Sequence, residues 1–241
     1  MSAPERIDPA TWRIAGTVVL GGIMTSIDTT VVNVALDDLT GDFHASVASV
    51  QWIATAYLLA LAIVIPLSGW ATDRFGAKRI WIGAVALFLV GSMLAGAAWS
   101  LASLIVFRVL QGLGGGMIMP VGMTLITRAA GRARVGRVMS ILGVQQLLGP
   151  VLGPVLGGVL VEHAGWRWIF YVNVPVGIVA TAAAVRFLPR AIADPSCRLD
   201  SRGVLLLSPG IAAVVFGLSG ISERHGLAGR ARLSRSCSVS G

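Results

Sequence analysis

The chain has 241 residues, of which 55% are hydrophobic and 12% charged, with a net charge of +8. A globular domain carries about 25% charged residues, so this composition argues against a water-soluble enzyme. The basic residues fall in short clusters between apolar runs and do not gather on one face, which excludes a folded nucleic-acid-binding domain.

Residues 1–13 read as a polar leader without a signal-peptide cleavage site. A first membrane span follows at about 14–36 and carries Asp28 at its middle and Asn33 near its end. A carboxylate at membrane depth costs about 2.5–3.5 kcal/mol on insertion scales, so a functional reading is the default. A structural helix–helix hydrogen bond is the alternative. The second span, at about 49–70, brings Gln51, Trp52 and Tyr57. Its exit reads Gly69-Trp-Ala-Thr-Asp73-Arg74-Phe-Gly76-Ala-Lys78-Arg79. That pattern suits a tight turn in which Gly76 permits the bend and Asp73 pairs with an Arg or caps a helix. An ordinary basic loop accounts for it equally well.

The third span, at about 79–98, has no charged residue in its interior. The fourth, at about 101–127, contains Arg108-Val-Leu-Gln111-Gly112 and then Gly114-Gly115-Gly116. These glycines lie inside an apolar helix without the Gly-Lys-Ser/Thr ending of a phosphate-binding loop, so no nucleotide is expected and close helix packing is. Arg108, roughly 10 Å below the outer surface, needs a partner or a wet cavity unless it snorkels outward. The fifth span, at about 136–161, holds Gln145 and the run Gly149-Pro150-Val-Leu-Gly153-Pro154-Val-Leu-Gly157-Gly158. Glycine at every fourth position makes a smooth helical stripe, and the prolines weaken the hydrogen-bond ladder.

A sixth span at about 166–188 completes a six-helix unit over 14–188. Residues 189–202 read as a cytoplasmic linker, 203–221 as a seventh span and 222–241 as a polar tail. An odd number of spans ending in a basic external tail suggests a truncated or frame-shifted chain. Cys197 and Cys237 lie in polar segments and read as free thiols; no metal site is expected.

Loop charge sets the orientation. With the N-terminus inside, thirteen basic residues are cytoplasmic: Arg6, Arg13, Arg74, Lys78, Arg79, Arg128, Arg132, Arg134, Arg137, Arg186, Arg190, Arg198 and Arg202. The outer loops of the six-helix unit hold only Arg167. A cytoplasmic N-terminus in a cell-membrane protein follows.

Together these segments resemble the major facilitator superfamily: 69–79 its loop signature, Arg108 to Gly112 its fourth-helix motif, and 149–158 its antiporter motif. Asp28-Thr-Thr-Val-Val-Asn33-Val-Ala-Leu36 and Trp166-Arg-Trp-Ile-Phe-Tyr-Val-Asn173-Val-Pro175-Val-Gly177 are similar to motifs of the drug:proton antiporters with 14 spans. Asp37 and Ala77 depart from those patterns, where the family usually has proline and a basic residue. The resemblance covers about residues 12–221 and implies an all-α membrane fold, two inverted three-helix repeats and the N-terminal half of a longer transporter. It also implies that the first and fourth helices face a central cavity, where Asp28 and Arg108 can meet.

Such a carboxylate is pulled two ways, because burial favours the neutral acid and a nearby guanidinium favours the anion. Asp28 is therefore expected to carry a proton and Arg108 to modulate it. At 100 mV and one pH unit, one entering proton releases about 3.7 kcal/mol, enough for a gradient of a few hundredfold. The expected activity is proton-driven efflux of lipophilic or cationic drugs, with lipid, substrate and protons as partners and no cofactor, nucleotide or nucleic acid. The rival is a non-transporting fragment. Asn33, Gln51, Trp52, Tyr57, Gln111 and Gln145 are candidates for the substrate cavity; ordinary packing is the alternative for each.

Overall fold

The computed structural model describes residues 8–131 and 135–189, together with Gly210. Apart from Pro189 and Gly210, the expected linker, seventh span and tail lie outside the described residues, as do both cysteines, Arg6, Arg132 and Arg134. Among the described residues the chain is all helical: α1 (Pro9–Val31), α2 (Leu36–Asp42), α3 (Val47–Phe75), α4 (Ala77–Gly96), α5 (Leu101–Ala130), α6 (Val135–Ala164), α7 (Trp168–Tyr171) and α8 (Asn173–Phe187). Counting 168–187 as one, six helices are long and apolar enough to cross a membrane.

Helix ends follow local chemistry. Asp8 accepts from the Ala10 amide ahead of α1, with Pro9 in the first turn. Ser46 caps α3 through the Ser49 amide, and Ser100 and Ser103 form a reciprocal capping box at α5. Gly76 makes the whole reversal between α3 and α4, at φ 88°, a conformation that a side chain disfavours.

Several boundaries differ from the sequence expectation: the second span, α3, continues to Phe75, so residues 71–75 of the expected loop are helical, and the first and sixth spans also depart from it. The first helix spans Pro9–Val31 instead of 14–36, so residues 9–13 of the expected leader are helical. Its last turn tightens into i→i+3 bonds, from Asn33 to Thr30, Val34 to Val31 and Ala35 to Val32. The β-branched run Thr29 to Val32 favours that ending. The chain then forms the short α2, whose Asp42 accepts from the Trp166 indole at 2.7 Å while Phe43 packs on the Trp166 ring. The sixth span is interrupted at Val172, two residues after Phe170 and three before Pro175.

The packing has an internal symmetry. Helix α1 packs on α5, α6 and the α7–α8 pair, and α5 packs on α1, α3 and α4. Exchanging α1 with α5, α3 with α6, and α4 with α7–α8 maps one set onto the other, as two inverted three-helix repeats require. The glycine stripe closes the α1–α6 contact. A Cβ at Gly149 would overlap Ser26 and one at Gly153 would overlap Thr30, whereas Gly158 faces open space. Thr30 Oγ1 lies 3.1 Å from the Gly149 carbonyl, so an α1 hydroxyl sits directly on the α6 backbone with no α6 side chain between them. On its outer side α6 exposes Leu147, Val151, Val155 and Val159, a face suited to an apolar surrounding.

The apolar interior comes in two clusters. One contains Ile14, Val18, Met24, Trp81, Phe88, Ile118 and Leu125. The other contains Val31, Leu39, Val50, Ile53, Leu104, Trp166 and Phe170. Asp28 falls between Met24 and Val31, and Arg108 between Leu104 and Ile118. The fold thus places a polar layer between two apolar ones.

Candidate functional site

The polar layer is built from five elements. Asp28 of α1 is fully buried and Arg108 of α5 is 1% exposed. Their side chains meet at 2.6 Å, Arg108 Nη1 to Asp28 Oδ2. Gln111, one turn along α5, accepts from Arg108 Nη1 at 2.7 Å and donates from Nε2 to Asp28 Oδ1 at 2.8 Å. Asn173, at the start of α8, donates to the same Oδ1 at 3.1 Å and to Ser92 Oγ of α4 at 3.1 Å. Ser92 donates onward to the Phe170 carbonyl at 2.8 Å.

Aromatic faces complete the shell. The Arg108 guanidinium lies 3.9 Å from the centre of the Tyr57 ring and 5.6 Å from that of Phe170. Such stacking offsets part of the loss of hydration for a cation in a dry environment. Arg108 reaches both Asp28 and Gln111 through Nη1, and its Nε has no partner. The guanidinium therefore holds the carboxylate through one nitrogen and not as a two-pronged fork, a contact that a modest rotation breaks.

The structure brings together Asp28, Arg108, Gln111 and Tyr57. Gln145 is elsewhere: it is buried where α6 meets α1, its amide lying on Gly22, with a 3.7 Å contact from Nε2 to Met119 Sδ and no partner for Oε1. Asn33 is exposed beyond the end of α1, Gln51 is half-buried and Trp52 is exposed, so these three do not join the pair. Gln111 and Tyr57, expected to line a substrate cavity, are engaged at the charge pair instead. Asn173 and Ser92 are not among the expected site residues: Asn173 enters the sequence reading only as part of the 166–177 motif, and Ser92 is a lone hydroxyl in the third span. The signals that could have found them are a carboxamide two residues before Pro175 and a lone hydroxyl facing that break.

The loop signature does two structural jobs. Asp73 pairs with Arg128 at 2.9 Å, tying α3 to the end of α5, with both side chains about half exposed. Lys78 donates to the carbonyls of Val185 and Leu188 at 2.7 and 2.8 Å, closing the C-terminus of α8 with a positive charge. Gly69 and Arg79 are exposed and Arg74 is half-buried at the same end. In the α6 motif, Gly149, Gly153 and Gly157 face α1, while Pro154 is exposed and a Cβ added at Gly158 would meet no neighbour.

Comparison with known proteins agrees with this architecture. The sequence profile described as the Major Facilitator Superfamily matches residues 18–230. The chain is 48% identical over 229 residues to the multidrug resistance protein B homolog of Mycobacterium tuberculosis, covering 95% of this chain and 42% of that protein. It is 38% identical over 216 residues to the putative multidrug resistance protein MdtD of Salmonella typhimurium, covering 90% of this chain and 46% of that one. The chain thus spans less than half the length of these relatives. Among solved structures, the inward-open xylose transporter XylE from E. coli superposes with a TM-score of 0.66 at 17% identity, over 86% of this chain and 55% of the other. The human organic anion transporter MFSD10 gives 0.66 at 16% identity, over 85% and 55%. At such identities the match speaks to the fold alone.

Proposed function

The chain belongs to the major facilitator superfamily as a multi-pass membrane protein, and from that premise we propose that it supplies the proton-binding half of a drug exporter. In this reading the exporter sits in the cell membrane with a cytoplasmic N-terminus, exchanges protons for lipophilic or cationic drugs, and uses the proton gradient in place of a cofactor. The domain division follows the same reading, with residues 14–188 as the working six-helix unit.

The observation that carries this is the buried Asp28–Arg108 pair. An ion pair between apolar layers is a poor stability device, because desolvation offsets most of its attraction. It is a good coupling device. While Arg108 holds Asp28 the carboxylate is satisfied as an anion; when the guanidinium turns away, the acid is better off taking a proton. The pair is sealed in this conformation, so exchange requires it to open. Alternation between the two states gives one proton binding site whose occupancy depends on conformation.

A second reading, that these 241 residues do not transport by themselves, is favoured by the length comparison, since two halves rocking about a shared site need both halves. Membrane vesicles carrying this chain, loaded with a pH-sensitive dye and given a proton gradient, separate the two. Drug-induced discharge that is lost in Asp28→Asn supports the exporter; no discharge under any condition supports the second reading. Undiminished discharge in a folded Asp28→Asn chain removes Asp28 from the mechanism.

A further inference from the structure

The two oxygens of Asp28 are not equivalent. Oδ2 receives a single donor, Arg108 Nη1, while Oδ1 receives the neutral amides of Gln111 and Asn173. We propose that Asn173, fixed by Ser92, is a positioning residue of the site: it anchors Oδ1 and leaves Oδ2 as the oxygen that trades Arg108 for a proton. This deepens the reading of Asp28 as the proton carrier and rests on it.

Hydrogen-bond capacity supports the assignment. A serine hydroxyl has one proton, and that of Ser92 goes to the Phe170 carbonyl beside the helix break at Val172. Ser92 can then only accept from Asn173, so it must meet the amide nitrogen and not the amide oxygen. That nitrogen carries two N–H groups: one reaches Ser92 and the other reaches Asp28 Oδ1. Ser92 thereby fixes which way the Asn173 carboxamide points. All these groups are buried, Ser92 completely and Asn173 to 2% exposure, so water does not compete for the bonds. Symmetry adds a reason for the placement. The first helices of the two three-helix units give Asp28 and Arg108, and the third helices give Ser92 and Asn173.

The proton step follows from this division. Arg108 turns off Oδ2 and keeps all its protons, losing one hydrogen bond. A hydronium ion from the open vestibule then gives its proton to Oδ2, forming an O–H bond and leaving water. Oδ1 becomes the carbonyl oxygen of the neutral acid and can keep both amide donors, so nothing else in the layer needs to rotate. Among the described residues, the charged or titratable groups facing Asp28 are Arg108 of α5 and Tyr57 of α3. From α4, α7 and α8 come Ser92, the Phe170 carbonyl and Asn173, all neutral.

The test measures proton binding directly, without transport. The chain in lipid nanodiscs is titrated by infrared difference spectroscopy with isotope-labelled aspartate, and the protonated-acid band of Asp28 is identified by its loss in Asp28→Asn. Asn173→Ala removes a donor to the anion, so the midpoint of that band should move to higher pH by about one unit, a tenfold tighter hold on the proton. Ser92→Ala should move it less, in the same direction, and should add nothing in the Asn173→Ala background. Helicity checks that each variant is folded, and Ser92→Ala, the milder change, carries the test if Asn173→Ala fails to fold. Unmoved midpoints in folded variants, or a Ser92 effect that adds in full, overturn the positioning role alone. A wild-type band that never appears across the accessible pH range overturns the proton carrier itself.

Discussion

Asp28→Asn exchanges one oxygen for an NH2 group and keeps the side chain's shape, yet the geometry makes it costly. Three donors converge on the carboxylate: Arg108 on Oδ2, and Gln111 with Asn173 on Oδ1. A carboxamide has one oxygen. If it faces Arg108, its NH2 confronts two amide donors; if it faces the amides, its NH2 confronts a guanidinium. Hydrogen bonds to charged groups are worth about 1.5–3 kcal/mol each, and leaving a buried charge unpaired costs about 3–5 kcal/mol. Asp28→Asn should therefore destabilise the folded chain by about 3–5 kcal/mol, and Arg108→Met by a similar amount. The doubly substituted chain has no stranded charge and should lose only about 1–2 kcal/mol, well short of the sum. Denaturant titration in detergent, read by tryptophan fluorescence, gives all four corners of the cycle. Single substitutions below about 1 kcal/mol that add in the double would mean that the two charges are hydrated and not paired, and the reasoning would fall.

Other expectations follow from the packing. Gly153→Val forces a side chain into Thr30 and should cost about 1–3 kcal/mol by overpacking, whereas Gly158→Ala, facing open space, should be near neutral in the same titration. Lys78→Met removes two charge-assisted caps from the end of α8, so amide exchange there should quicken while α5 stays protected. For orientation, Lys78→Cys should react with an impermeant thiol reagent only from the cytoplasmic side and Trp99→Cys only from outside; the reverse would invert the topology.

Much of the architecture was legible in the sequence because lipid demands it. Long apolar runs gave all six spanning helices, with shifts of up to about five residues at their ends, and the two charges in their interiors, Asp28 and Arg108, stood out against those runs. What stayed hidden depended on tertiary contacts. The short α2, Leu36–Asp42, has three aspartates and reads as a loop, and it is tied to the fold by buried Leu39 and by the Asp42–Trp166 bond across 124 positions. The break at Val172 was absorbed into a single expected span. Gln111 was visible as polar, but nothing local says that its two ends bridge an acid and a base. Lys78 reads as one more cytoplasmic charge until α8 presents its free carbonyls. Ser92 and Asn173 take their meaning only from contacts between elements, where Asn173 bridges Asp28 and Ser92 and Ser92 reaches the Phe170 carbonyl.

The central claim is that one proton leaves Asp28 when a drug binds. Proton release from the purified chain in weakly buffered detergent, on adding a lipophilic cation at a pH that keeps the acid protonated, tests it most directly. The account predicts about one proton per bound molecule, and none in Asp28→Asn. Binding without proton release, or equal release from the Asp28→Asn chain, would contradict it.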